Sequence, residues 1–320
     1  MGDPAGVGPE IIVKLFRDHA PQNCVVYGDP NWIQATAKKL QCTTPIQSIT
    51  SIDDVLLPGH IPVLKACDSI PASLPLGAVS PAAGKAAYQC VGQAITDALA
   101  GKIAAIVTAP LNKHAIHQAG FDFPGHTEIL AHRCGDIPVA MMLANDVIRV
   151  VLVTIHIPLS DVATTITAPL ELQAIELADR ICKDLSLTTR RIAVAGLNPH
   201  AGESGKFGSE EQQIIEPAIQ KAREAGIDVS GPWPGDTIFA RARQGEFDVV
   251  VAQYHDQGLI PVKYLGLDQG VNVTIGLPFV RTSVDHGTAF DIAGQGIASA
   301  ESLLHAVQMA QTLIQSKHTD

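Results

Sequence analysis

The chain lacks any apolar run long enough to cross a bilayer. About 18 consecutive apolar residues would be needed. The longest candidate, MMLANDVIRVVLVTIHI at 141–157, is interrupted by Asn145, Asp146 and Arg149. It opens MGDPAGVGPE, with no basic stretch ahead of an apolar one, so no secretory signal is legible. Positive charge is also scarce: 22 Lys and Arg against 32 Asp and Glu leave a formal net charge of −10. That balance argues against nucleic acid or an anionic membrane as the main partner, since both need a basic face. A small anionic substrate stays open, because a few local cations can hold one phosphate. The six cysteines, at 24, 42, 67, 90, 134 and 182, form no CxxC pair. This excludes a zinc-thiolate knuckle and argues against a secreted disulfide framework. Reduced thiols, mostly in the core, are expected. The expectation is a cytoplasmic globular protein.

What is present is a strongly apolar α/β pattern. The 320 residues are 46% hydrophobic, enough for one large core or for two lobes sharing a cleft. Short β-branched runs read as strands at 23–29, 104–110, 147–156, 191–198 and 248–255. Amphipathic helices lie between them. Ser80 is placed to cap a helix that opens with Pro81 and runs through AAGKAAYQCVGQAITDALAGK. PLELQAIELADRICKDL carries apolar residues at helical spacing, and so does SEEQQIIEPAIQKAREAG, which closes on Gly226. Such alternation predicts an α/β fold with a largely parallel sheet. No repeat, low-complexity tract or linker is visible, so any division into lobes must be intimate.

Three histidines share one context. His156 ends VVLVTIH, His200 follows IAVAGLNP and His255 ends VVVAQYH. In open α/β sheets, ligands sit beyond the carboxyl ends of the strands. Three neutral imidazoles delivered there could hold a divalent cation and leave one position open. A single strand-end histidine is more often a hydrogen-bonded structural residue; it is the recurrence of three that points to a metal, and their wide spacing has no short-range signature. Asp256 follows His255 directly. In an extended strand it would face the opposite way, which suggests a supporting or structural role.

Further groups suit an oxyanion. Lys263, Asn272 and Arg281 follow His255 in segments read as loops or strand ends, the last two inside GVNVTIGLPFVRTS. In FPGHTEIL, a Pro-Gly turn places His126 and Thr127 at the start of a helix, where they could contact an anion or cap the helix. Two glycine-rich loops precede helices: GDPAGVGPE at the start and DHGTAFDIAGQGIASAESL at 285–303. The first brings backbone N–H groups near a possible ligand, but it is not a GxGxxG turn after a strand.

Taken together, GDPAGVGPE, TAPLNK, PGHTE, NPHAGESGKFGSEE, YHDQGLIPVK and GLPFVRTSVDHGT make the chain resemble the 4-hydroxythreonine-4-phosphate dehydrogenase family of vitamin B6 biosynthesis. The two glycine loops resemble those of the wider isocitrate and isopropylmalate dehydrogenase fold. The resemblance implies two α/β lobes with the active site in the cleft, one from 1–125 plus 278–320 and the other from 126–277. It implies His156, His200 and His255 as ligands of one divalent metal (Zn, Mg or Co), in a site shared between the subunits of a homodimer. It implies His126, Thr127, Lys263, Asn272 and Arg281 as substrate-binding residues, with Asp236 facing the site. Asp236 and Lys263 are the candidates for general base. NAD or NADP would lie along the second glycine loop, at Gly287, Asp291 and Gly294. The implied reaction is oxidation of a secondary alcohol to a β-keto acid, then loss of carbon dioxide, giving 3-amino-2-oxopropyl phosphate.

The resemblance leaves alternatives. A paralogue could oxidise phosphorylated threonate or erythronate, or a cyclic dihydrodiol. A phosphate acyltransferase or a non-catalytic binding protein on a related fold is more remote. Members of the family usually carry a short strand before GDPAG, which leads to the expectation that the natural chain starts several residues upstream of Met1.

Overall fold

Every predicted strand forms, but each is shorter than its apolar run, and that shortening decides where the site residues fall. The structure is a computed structural model that describes residues 1–266 and 270–317. In chain order it contains α1 (Gly8–His19), β1 (Val26–Gly28), α2 (Pro30–Lys39), β2 (Ile46–Ile49), β3 (Ile61–Lys65), α3 (Pro81–Leu99), β4 (Ala105–Thr108), α4 (Lys113–Gln118) and α5 (His126–Arg133). There follow β5 (Ala140–Ala144), β6 (Arg149–Leu152), α6 (Leu159–Thr165), α7 (Ala168–Asp184), β7 (Ile192–Ala195), a 3-10 turn (Pro199–Glu203), a π-turn (Glu211–Ile215), α8 (Glu216–Glu224) and β8 (Val229–Trp233). The remaining elements are α9 (Ile238–Arg243), β9 (Val249–Ala252), α10 (His255–Leu265), β10 (Val271–Ile275), β11 (Val280–Val284) and α11 (Glu301–Lys317). These group into two units, Met1–Ile137 with Leu277–Ala310, and Pro138–Gly276 with the chain from Gln311 onward.

In the first unit β3 lies between β1 and β2, all parallel, and β4 pairs in parallel with β11. The GDPAGVGPE loop runs into α1 with Pro9 in its first turn, where the missing N–H costs nothing. Met1 donates its buried amino group to the Tyr27 carbonyl at 3.0 Å. The two glycine loops meet here, Val7 N donating to Thr288 O at 3.0 Å. Ser80 takes the N-cap position of α3, although its hydroxyl makes no capping hydrogen bond.

In the second unit the strand order is β10-β5-β6-β9-β7-β8. The β10–β5 and β5–β6 pairs are antiparallel; β6–β9, β9–β7 and β7–β8 are parallel. The polar break at Asn145 is the turn of the β5–β6 hairpin: its Oδ1 accepts from Val147 N and Ile148 N, both at 2.9 Å. Leu143, Val150, Leu152, Val250, Ala252, Leu259 and Val262 form the core under α10. A Cβ on Gly258 would lie 2.5 Å from Leu152 Cδ2 and 2.9 Å from Val150 Cγ1, so glycine is what lets α10 sit this close to the sheet. The segment read as one helix from 209 to 226 contains the π-turn before α8, and Gly226 follows α8 at φ 84°.

Candidate functional site

Strands β6 and β9 run parallel and in register, Leu152 beside Ala252. Their ends stay tied beyond the last strand residue. Val153 N donates to Ala252 O at 2.9 Å, and Thr154 Oγ1 donates to Gln253 O at 2.7 Å. The two chains therefore leave the sheet together and deliver His156 and His255 side by side, their ring centroids 5.9 Å apart. Neither histidine is a strand residue. His156 lies in the exposed loop after β6, and His255 is the first residue of α10. This corrects the strand geometry expected for Asp256: it lies in the first turn of a helix, and its Oδ1 is 2.7 Å from His255 Nδ1. A carboxylate on one ring nitrogen fixes the ring and leaves Nε2 for a ligand.

His200 stands on the 3-10 turn after β7, exposed, in a left-handed backbone conformation at φ 55°, with its ring 6.1 Å from Phe207. That turn is anchored by Asn198, whose N donates to Glu211 Oε1 at 2.7 Å and whose Nδ2 donates to Glu210 and Glu211. Among the described residues, no group of three or more His, Cys, Asp or Glu could hold a metal ion. The chain thus brings two of the three expected ligands together. The 5.9 Å ring spacing suits two imidazoles sharing one ion at about 2 Å from each nitrogen, so the pair fits a divalent metal as a partial set.

Arg281, read in a loop or at a strand end, is the second residue of a strand. It lies inside β11, 3% exposed, and donates from Nη2 to Thr108 Oγ1 of β4 at 2.8 Å. The alternation V-R-T-S-V is a strand signal that the neighbouring Gly276 and Pro278 obscured. Burial draws its pKa down to about 10, against an upward pull from Glu128. His126 opens α5, as the turn signal predicted, with Thr127 next to it. The His126 Nε2 is shut off from solvent without a hydrogen-bond partner. Burial, then the Arg281 charge, holds its pKa well below the usual histidine value. A buried guanidinium and a neutral imidazole with an unpartnered nitrogen are groups that an anionic oxygen could use.

Asn272, read in a loop or at a strand end, is the second residue of β10, opposite Leu143. Its Nδ2 reaches Met141 Sδ at 3.0 Å, and its Oδ1 is buried without a partner. Lys263 belongs to the last turn of α10 rather than to a loop. Eight residues separate it from His255, about 12 Å along the axis at 1.5 Å per residue. Asp236 is exposed in the turn before α9, beside Gly235, whose added Cβ would lie 2.9 Å from Gln257 Nε2.

The second glycine loop is braced from beneath. Glu10 accepts from Gly296 N at 3.2 Å and Ala298 N at 2.9 Å, and Lys14 donates to the carbonyls of the same two residues. Gly294 has φ 74°, and a Cβ there would collide with Leu76. Gly287 and Asp291 are exposed, with open space where a Gly287 Cβ would be. A rigid loop with an open glycine edge fits a dinucleotide laid along it. Sequence reasoning missed Thr108, Thr154, Gln253 and Gln257. Thr108 and Gln257 lie in the motifs TAPLNK and YHDQGLIPVK, whereas Thr154 and Gln253 stand out only as polar residues within apolar runs.

Two imidazoles at the ends of adjacent strands of the second unit, and in the first a buried guanidinium and a neutral imidazole, are kinds of group that α/β enzymes use on small anions. The known proteins the chain is similar to are such enzymes. It is 53% identical over 98% of its length to 4-hydroxythreonine-4-phosphate dehydrogenase of Beijerinckia indica, covering 93% of that protein. It is 47% identical, over 98% of this chain and 97% of the relative, to D-threonate 4-phosphate dehydrogenase of Salmonella typhimurium. The crystal structure of 4-hydroxythreonine-4-phosphate dehydrogenase from Klebsiella pneumoniae superposes with a TM-score of 0.91 at 43% identity, covering 98% of this chain and 96% of that one. The model of the family described as pyridoxal phosphate biosynthetic protein PdxA matches residues 20–310, and the chain belongs to that family. It is an oxidoreductase with an α/β fold of mostly parallel strands.

Proposed function

We propose that the protein oxidises 4-phosphohydroxy-L-threonine with NAD or NADP, and that the resulting β-keto acid loses carbon dioxide to give 3-amino-2-oxopropyl phosphate. The observation that carries the reading is the His156–His255 pair, 5.9 Å apart at the ends of adjacent parallel strands. The metal (Zn, Mg or Co) would supply acidification of the substrate hydroxyl and stabilisation of negative charge, and the nicotinamide would accept hydride.

The chain's own residues do the rest. Arg281, with Thr108 behind it, holds the phosphate or carboxylate, and His126 and Thr127 add hydrogen bonds from the start of α5. A neutral His126 costs less to bury than a charged one and can still donate to an anion. Asn272 offers a buried amide to the substrate. Asp256 orients the His255 ring. Asp236 or Lys263 takes the hydroxyl proton. Gly287, Asp291 and Gly294 line the nicotinamide side.

Two facts support a homodimer with shared sites. Lys263 lies about 12 Å along α10 from His255, and His200 stands on a separate turn. A second copy would bring the missing groups to each histidine pair. Among the described residues no helix is long and apolar enough to span a membrane, consistent with a cytoplasmic enzyme.

The test is nicotinamide reduction by metal-loaded protein, with 4-phosphohydroxy-L-threonine and D-threonate 4-phosphate offered in parallel. Preference for the amino acid, abolished by chelation, is the expected result. Preference for the threonate keeps every contact above but assigns the protein to sugar-acid oxidation, the activity named for the 47% identical relative. Turnover of neither substrate overturns the reading.

A further inference from the structure

Bonded to Gln253, two residues before His255, is an acid that no motif points to. Glu171 stands in the first turn of α7 and is 0% exposed, as is Gln253 beyond the end of β9. Gln253 Nε2 donates to Glu171 Oε1 at 3.1 Å and to the Ala195 carbonyl, at the end of β7, at 2.9 Å. The other oxygen of each group, Glu171 Oε2 and Gln253 Oε1, is buried with no hydrogen-bond partner. Two orphan acceptors on an acid and an amide already joined by one hydrogen bond are what a single missing proton leaves. A proton on Glu171 Oε2 would offer Gln253 Oε1 a donor and, with the bond already present, would close a ring of two hydrogen bonds. An ionised carboxylate there would be a buried charge with one neutral donor, the costliest arrangement of the two.

Gln253 is also the knot that ties three strand ends. Its carbonyl accepts from Thr154 N at 3.2 Å and Thr154 Oγ1 at 2.7 Å. Its N donates to Gln257 Oε1 at 2.7 Å, and Gln257 Nε2 donates to the Gly196 carbonyl at 2.7 Å. His156 lies two residues beyond Thr154, and His255 two residues beyond Gln253.

We propose that Glu171 is a positioning residue held as the neutral acid, in a cyclic acid–amide pair with Gln253 that sets where the strand ends present His156 and His255. Burial pushes its pKa up to about 7, with the Gln253 hydrogen bond pulling the other way. The elements packed on α7 carry Arg149 on β6, Glu211 on the π-turn and Glu216, Lys221, Arg223 and Glu224 on α8, while β7 and β9 carry no ionisable residue. None of these charges contributes to the shift. The catalytic consequence rests on the reading of the two histidines as metal ligands; the protonation state does not.

Two measurements on the full-length protein separate those claims. The infrared difference spectrum of wild type minus Glu171→Gln, at pH 6, should contain the C=O band of a protonated buried carboxyl, fading as pH rises through about 7. A carboxylate signal alone at pH 6 overturns the proposal, whatever the enzyme turns over. In the metal-loaded enzyme, kcat should fall in wild type as pH rises past 7. Glu171→Gln, which can pair amide to amide with Gln253, should lack that limb and stay within about threefold of wild type at pH 6. Glu171→Leu should lose about tenfold or more in kcat with KM little changed. A wild-type pH profile in Glu171→Gln, or wild-type kcat in Glu171→Leu, refutes the positioning role. If Glu171→Leu does not fold, the pH comparison decides.

Discussion

Replacing Arg281 with Met should make the protein more stable and a much poorer enzyme. The guanidinium is 3% exposed, and burial lowers its pKa from 12.5 to about 10. At 1.36 kcal/mol per unit, keeping the charge inside the folded chain costs about 3 kcal/mol. A group whose folded pKa is depressed in this way destabilises the fold at every pH below about 10, so the penalty is complete at neutral pH. Met fills a similar volume without the charge. Loss of the guanidinium's hydrogen bonds, the one to Thr108 Oγ1 among them, returns about 2 kcal/mol. The net gain of about 1 kcal/mol should raise Tm by about 1–2 °C. Catalysis should move the other way. Removing one partner of a buried charge pair costs about 3–5 kcal/mol, or roughly a hundredfold to several thousandfold in kcat/KM. Anion linkage separates the two effects. Inorganic phosphate at a hundred times its Kd should stabilise wild type by about 2.7 kcal/mol and Arg281→Met hardly at all. Thermal unfolding with and without phosphate, beside kcat/KM, is the assay. A variant that is less stable than wild type and keeps its kcat/KM would refute the reasoning.

Other sites give predictions of different kinds. Gly258→Ala puts a methyl 2.5 Å from Leu152 Cδ2 and 3.1 Å from Ala252 Cβ; overpacking should cost about 1–3 kcal/mol in a denaturant titration, and the shift of α10 should lower metal affinity. Two buried acids make stability fall with pH: burial raises Asp3 to about 6 and Glu171 to about 7. Because both folded values lie above the unfolded ones, the stability of the neutral forms is complete below about pH 4 and is lost as pH rises through those values. Asp3→Asn should therefore gain on wild type as pH climbs from 4 to 7, by about 3 kcal/mol at most, and a constant difference in urea midpoint across that range would contradict the shift. Glu10→Gln weakens the brace under Gly296 and Ala298. Its KM for the nicotinamide should rise with the phosphorylated substrate's KM little changed, and an unchanged cofactor KM would show that the brace does not shape the cofactor site.

How much of this was legible in the sequence depended on periodicity. Runs such as DVVVAQYH announce a buried parallel strand, and all five strands read that way are present. The error was in where they stop. A buried strand pairs only as far as its neighbour, so β9 ends at Ala252, and the polar tail Gln253–Tyr254–His255 turns out of the sheet into α10. That is why Asp256 could be expected on the wrong face and still prove to be a partner of His255. For Arg281 the sequence left loop and strand end undecided, because the glycine and proline before it masked a short strand. The Glu171–Gln253 contact was out of reach altogether, because the two residues are 82 positions apart and each looks ordinary in its own segment.

The same comparison explains which residues can be replaced. His156 and His255 are placed by in-register pairing of two strands, a property of the whole sheet, so single substitutions in the core away from α10 should leave their spacing nearly unchanged. Their fine orientation rests on a few buried polar groups, Thr154, Gln253, Gln257 and Glu171, which have few alternatives to their present hydrogen bonds. Sheet register fixes where the histidines are; the polar network beneath fixes where they point. Substitutions that trade polar for apolar atoms in that network should lower activity more than stability, because the sheet that carries most of the buried apolar surface is left intact.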